Sequence, residues 1–280
     1  MKKLTLVFAA LLAATAAGQA GAGDWKKIRI ATEGAYKPWN FTDSSGKLVG
    51  FELDLAADLC KRMNAECEIV AQAWDGIIPA LQAGKYDAIM AGMSITDKRK
   101  KVITFSRAYA ATPARFVALK SSPHGKFTTS LTTLTLDAIA AEEKENLDAI
   151  VKEFKGKTIG VQTSTTHENF LREYLGKDAD IKAYDTQENL DLDLQAGRVD
   201  VALASMSYWV PLLASDDGSE MTMVGPGMTG GPFGAGVGVG IRQKDADLAA
   251  KFSAAIDASI ADGTARRLAV QWFGFDSSAK

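Results

Sequence analysis

Two stretches of this chain echo each other. Leu81-Gln82-Ala83-Gly84-Lys85-Tyr86-Asp87-Ala88-Ile89-Met90-Ala91-Gly92-Met93-Ser94 returns as Leu194-Gln195-Ala196-Gly197-Arg198-Val199-Asp200-Val201-Ala202-Leu203-Ala204-Ser205-Met206-Ser207. Each copy reads as a helix end, a glycine just beyond it, a short connection, and a buried strand that ends in small polar residues. The copies lie one domain length apart. The pattern therefore predicts two similar α/β lobes, each with ligand-ready loops at its strand ends, and a cleft between them.

The first copy runs on into Ile95-Thr96-Asp97-Lys98-Arg99. Ala88 to Met90 is a short apolar run, Gly92 allows close approach to the backbone, and Ser94 offers a hydroxyl and an N–H. Thr96 can cap a new helix that carries Arg99. A strand that ends in glycine and enters a helix presents free N–H groups to an anion, and an Arg fork suits a carboxylate. The plain alternative is a core strand followed by a capped helix with a solvated Arg.

The N-terminus reads as an export signal. Met1-Lys2-Lys3 precedes an apolar run from Leu4 to Ala17, and Ala20-Gly21-Ala22 is an A-x-A cleavage pattern. The run is too short to span a membrane. Cleavage after Ala22 is expected to leave an exported chain with no lipid anchor. The formal charge is −2 and becomes −4 once Lys2 and Lys3 leave, which disfavours nucleic acid and anionic membranes as partners. In an exported chain Cys60 and Cys67 are expected to pair. A metal pair is the weaker alternative, since His124 and His167 lack zinc spacing; no metal or cofactor is expected.

Lys27–Ala31 reads as a first strand, with Glu33 and Tyr36 in the loop after it as ligand contacts or ordinary loop residues. Asp43–Gly46 is a hairpin-like turn. Phe51, Leu55, Leu59 and Met63 repeat every four residues, which predicts an amphipathic helix from about 51 to 64, then a strand over 68–71. Trp74 precedes Asp75, a candidate cap for a helix ending at Gly84; a Trp here serves packing more often than recognition. Phe116–Leu119 reads as a strand leaving the first lobe, and 121–155 as a polar insertion on the second with helical content over 137–154. Thr158–Val161 is a strand followed by Gln162-Thr163-Ser164-Thr165-Thr166-His167, a polar turn opening a helix at Glu168 and a second anion-friendly N-terminus. His167 is a cap residue or a cleft contact. A helix over 188–196 and a strand over 199–204 follow. The glycine-rich 225–240 stretch is read as a return hinge and a close-packed strand over 235–241, since no helix follows where a dinucleotide fingerprint needs one. Helices over 245–261 and 265–273 close the chain.

Taken together, I-R-I-A-T-E-G at 28–34, G-F-E-L-D-L at 50–55, D-G-I-I-P-A-L at 75–81, S-I-T-D-K-R at 94–99, the 60–67 cysteine pair, G-V-G-V-G-I-R at 236–242 and D-G-T at 262–264 resemble the polar amino-acid family of periplasmic solute-binding proteins that serve ABC importers. The resemblance covers essentially the whole exported chain. It is similar to the lysine/arginine/ornithine and histidine binders. It is more similar still to octopine- and nopaline-binding proteins, which share the insertion after 121 and the H-E-x-F run at 167–170. The resemblance implies an α/β, two-lobed binding-protein fold with a two-strand hinge: residues 23–112 and 231–280 in one lobe, 113–230 in the other. It implies that Arg99 and Ser94 clamp an α-carboxylate, with Thr166 as a second contact beside Thr165. It implies that Tyr36 and Trp74 sandwich a side chain, and that Glu33 meets a cationic end. Ala91 and Gly92 stand where serines are frequent. Ser205 stands where the basic amino-acid binders hold an aspartate for the ligand's α-ammonium.

These readings lead to a periplasmic receptor that binds and releases an amino acid or opine without chemistry and docks on a membrane permease, expected as a monomer. Small residues at 91, 92 and 205 would leave room for an opine's extra arm, and Gln162, Ser164 and His167 could donate to its second carboxylate. One alternative is a basic amino-acid binder. Another is a dehydratase-like enzyme, for which Glu33 and His167 are the only acid/base candidates. A third is a sensor subunit that docks on a receptor.

Overall fold

The computed structural model describes residues 24–279; the expected leader over 1–22 lies outside them. The chain begins with β1 (Lys27–Thr32), then a small antiparallel meander of β2 (Ala35–Tyr36), β3 (Asn40–Thr42) and β4 (Leu48–Val49). The predicted turn joins β3 to β4, with the Asp43 carboxylate accepting from the Ser45 and Lys47 N–H groups. Then come α1 (Phe51–Met63), β5 (Glu66–Ala71), α2 (Ile77–Gln82), β6 (Ala88–Ile89), α3 (Asp97–Lys100) and β7 (Thr104–Ala110). The chain crosses to a second sheet at β8 (Ala114–Leu119). It continues through β9 (Thr133–Thr135), α4 (Ala141–Glu153), β10 (Thr158–Gln162), α5 (Thr166–Tyr174), β11 (Asp180–Tyr184) and α6 (Gln187–Gln195). β12 (Val201–Ser205), α7 (Met206–Leu213) and β13 (Met221–Thr229) complete that part. The chain then returns for β14 (Val237–Ile241), α8 (Ala246–Ala261) and α9 (Thr264–Phe273).

Two sheets result, β5-β1-β6-β14-β7 and β11-β10-β12-β8-β13-β9. In each, three parallel strands have the same order, with the first in the middle, and antiparallel strands complete the sheet on the far side of the third. The echo seen in the sequence is this shared order. Gly84 and Gly197 both take positive φ just past a helix, where a side chain would be strained.

The cores follow the amphipathic patterns. Phe51, Leu55 and Leu59 of α1 pack with Leu248, Phe252 and Ile256 of α8 and Phe273 of α9. Phe116 and Val161 in the second sheet pack with Phe170 and Leu171 of α5. The 121–155 segment is part of that second core: β9 pairs with β13, and Leu147 and Ile150 of α4 and Phe154 after it are buried there. Cys60 on α1 and Cys67 on β5 form a disulfide.

Four local readings change. The strand expected at 116–119 belongs wholly to the second sheet; the chain crosses at 111–113. Asp75 caps no helix. It lies in a 3₁₀ turn over Trp74–Gly76, and α2 begins at Ile77 without a side-chain cap. The glycine-rich stretch is not all hinge, because Gly225 and Gly227 lie inside β13 where its register shifts, and Gly225 takes φ +64°. The helix carrying Arg99 is a single turn. Among the described residues, no helix is long and apolar enough to cross a membrane.

Candidate functional site

The C-terminal ends of the parallel strands in both sheets meet at one cavity. β1 leads to Glu33 and Tyr36, β5 to Trp74, and β6 to Ala91, Gly92, Ser94 and Arg99. From the facing sheet, β10 leads to Gln162, Thr165, Thr166 and His167, β11 to Gln187, and β12 to Ser205. Every residue proposed from the sequence lines this cavity except Ser164. That residue turns away: at φ +59° its N–H donates to Glu168 and its hydroxyl donates to Asp75 across the cleft at 2.9 Å. Gln187 was missed. The shared strand order could have found it, since it occupies in the second sheet the place Trp74 holds in the first.

Arg99 sits at one end. Thr96 caps its backbone N–H, and its guanidinium donates to the Ser94 carbonyl at 2.9 Å and the Ser164 carbonyl at 3.3 Å. It lies over the Trp74 ring, 5.2 Å from the centroid. Burial lowers its pKa to about 10, so it remains cationic at neutral pH, and among the described residues no carboxylate pairs with it. The same burial, together with the Arg99 charge, lowers His167 to about 4, which leaves a neutral imidazole packed 5.7 Å from the Phe233 ring. Thr165 caps α5 by accepting from the Glu168 N–H, and α5 directs its N-terminus into the same region.

Glu33 sits with the opposite electrostatic problem. Burial raises its pKa to about 7, only partly offset by a 2.7 Å hydrogen bond from the Gln162 amide; Glu188, Glu52 and Asp185 add repulsion. The Gln162 amide also donates to the Asp185 carbonyl. Gln162 was expected to donate to a ligand carboxylate; here its N–H groups donate to acceptors at the acidic end.

The β6 cradle also differs from expectation. The Gly92 N–H is not free; it donates to Glu52 at 2.7 Å. Glu52 is buried and takes two further donors, the Asn40 amide and the Tyr109 hydroxyl, as a buried carboxylate must. Ser94 keeps its hydroxyl and N–H. A Cβ at Gly92 would meet the Tyr36 ring at 3.7 Å, an ordinary contact, so its φ of +60° is what favours glycine.

Tyr36 stacks on Tyr208 with centroids 4.9 Å apart, and its phenol oxygen meets the Ser205 hydroxyl and backbone. Behind it Trp39 donates to Ser207 at 3.0 Å, and Trp74 donates to the Thr163 carbonyl at 3.0 Å. The two halves are thus closed on each other. A second cavity adjoins the first through the shared walls Ser94, Thr166, His167 and Ser205, and extends between the crossing segments at Thr112 and Gly230–Gly234. Among the described residues, Glu33 is the only carboxylate that lines either cavity.

A two-lobed α/β frame with adjoining cavities where the strand ends of both sheets meet is the architecture of a jaw-type binding protein. Residues 28–275 match bacterial extracellular solute-binding proteins, family 3, and the chain belongs to that family. It is 42% identical to an octopine-binding periplasmic protein of Rhizobium meliloti, over 99% of each chain. It is 35% identical to an L-arginine-binding protein of Pseudomonas aeruginosa, over 99% of this chain and 98% of the other. A crystal structure of a periplasmic His/Glu/Gln/Arg/opine family-binding protein from Silicibacter pomeroyi, in complex with lysine, superposes with a TM-score of 0.72 at 34% identity. That match covers 90% of this chain and 100% of the other.

Proposed function

We propose that this chain captures an arginine-derived opine, of the octopine or nopaline type, in the periplasm and delivers it to the permease of an ABC importer. The observation that carries this reading is a pair of unsatisfied charges in one cavity. Arg99 is a half-buried cation with no counter-ion among the described residues, and Glu33 is a half-buried acid that desolvation holds up to about 7. A ligand with a carboxylate at one end and a guanidinium at the other relieves both costs at once. Arg99 and Ser94 take the α-carboxylate with the α5 N-terminus at Thr165 and Thr166, Tyr36 and Trp74 flank the chain of the ligand, and Glu33 takes the cation.

Position 205 favours an opine over a free amino acid. An enclosed α-ammonium needs a counter-charge, whereas Ser205 supplies a hydroxyl already engaged by Tyr36. An opine carries its own carboxylate on the α-nitrogen. The second cavity, which begins at Ser205 and has His167 in its wall, gives that arm a place, with Ala91 and Gly92 leaving room beside it. Likeness to the octopine-binding protein points the same way. The jaws are residues 23–112 with 231–280, and 113–230. Likeness to the arginine-binding protein favours a second reading, a basic amino acid as ligand.

Ser205→Asp tests the choice. The new carboxylate should repel the opine arm and pair a free ammonium, so thermal-shift measurements should show octopine losing stabilising power and arginine gaining it. An unchanged order of the two ligands would count against the opine reading.

A further inference from the structure

Behind the cavity wall lies a carboxylate that is not itself part of the lining. Asp191, on α6, is buried. One oxygen accepts from the Gln187 amide at 3.0 Å, and the other accepts from the Tyr208 hydroxyl. Gln187 lies one helical turn before Asp191 and does line the cavity. Burial raises Asp191 to about 7, so above that pH it is an ionised carboxylate that can only accept; it then draws the NH₂ side of the Gln187 amide toward itself and leaves the carbonyl oxygen for the cavity. No described group donates to that oxygen. Gln162 is oriented by the same logic: its NH₂ donates to Glu33 and to the Asp185 carbonyl, and no described group donates to its side-chain oxygen.

We propose that Asp191 is a specificity-positioning residue: through Gln187 it makes the acidic end of the cavity, formed with Glu33 and Gln162, a cluster of acceptors only. Such a cluster accepts a group that offers donors alone, a guanidinium, and rejects a ureido group of the same shape, whose carbonyl would face acceptors. The inference rests on the guanidino reading above and adds to it how a near-isosteric neutral group is refused. Tyr208 ties the same carboxylate to the Tyr36 stack, so the group that orients the amide is itself held on its far oxygen.

The test compares guanidino and ureido partners by calorimetry: arginine with citrulline, and octopine with the citrulline derivative carrying the same N-carboxyethyl arm. Wild type should prefer the guanidino member of whichever pair it binds. Asp191→Asn lets the Gln187 amide turn over, and should cut the guanidino-to-ureido affinity ratio by about tenfold or more. Gln187→Met, which removes the oriented acceptor, should cut it similarly. A purely structural role for Asp191 would weaken both members of a pair alike and leave the ratio unchanged, which would overturn the proposal. If wild type binds no guanidino ligand at all, the functional reading falls as well. If it binds them and the ratio does not move in Asp191→Asn, only the present inference falls.

Discussion

The side-chain amide of Gln162 donates to Glu33 from the opposite jaw, at 2.7 Å. This neutral donor only partly offsets the burial that pushes Glu33 up to about 7. Binding of a guanidinium should return it toward the ordinary carboxylate range. Near neutral pH the protein should therefore release a proton as it binds a cationic ligand, and affinity should rise with pH through about 7. Calorimetry in two buffers of different ionisation enthalpy measures the proton directly; identical heats in both would refute the assignment of Glu33.

The same shift makes a stability prediction of definite sign. An acid whose folded pKa is raised from 4.5 to about 7 binds more protons folded than unfolded in that window, so it makes the ligand-free protein less stable as pH rises across it. Asp191, also raised to about 7, acts in the same direction, and His167, lowered to about 4, acts in the opposite one below its ordinary 6.5. Glu52, buried and also raised, acts in the same direction, and Glu33→Gln should remove one of these three unfavourable slopes. Chemical denaturation of the ligand-free variant should show stability falling less from pH 4.5 to 7 than in wild type.

Arg99→Ala should nearly abolish binding, by ~2–5 kcal/mol, because the ligand carboxylate would be enclosed without its charged partner. Arg99→Lys should also weaken binding, since an ammonium lacks the planar fork that now spans the Ser94 and Ser164 carbonyls. Calorimetry with the tightest wild-type ligand checks both.

How much of this was legible in the sequence depends on the range of the forces involved. The individual strands and major helices follow from local periodicity, and the two similar lobes from the echo at 81–94 and 194–207; the strand order within each sheet was not read from the sequence. Arg99, Ser94 and Ser205 stand out because strand ends carry recognisable small and polar residues. What escaped reading is set by contacts distant along the chain. Ser164 looks like its neighbours in sequence, yet a positive φ and the Asp75 carboxylate of the other jaw turn it out of the cavity. Glu52 gave no sign of occupying the Gly92 N–H. Gln162 was placed near the site and Gln187 was not, and which face of each amide meets a ligand depends on the carboxylates of Glu33 and Asp191.

Asp75→Ala should remove the Ser164 contact that bridges the closed jaws. An exposed hydrogen bond to a charged group is worth about 1 kcal/mol, so the ligand should leave several-fold faster with little change in capture rate. Stopped-flow fluorescence can follow this through Trp74, whose indole N–H bonds the facing jaw.

Replacing Cys60 and Cys67 together by Ser should cost roughly 2–3 kcal/mol of stability, through the greater freedom of the unfolded chain. Both cysteines lie outside the cavity lining, so affinity should be unchanged. Thermal unfolding with and without ligand separates the two effects.

The central claim is that the cavity is complementary to a guanidino opine. Calorimetry of the wild-type protein with octopine, nopaline, arginine, lysine and histidine under one set of conditions tests it most directly. The account predicts that an opine binds most tightly and that lysine and histidine trail arginine. Tighter binding of a free amino acid than of either opine would contradict it and leave the basic amino-acid reading standing.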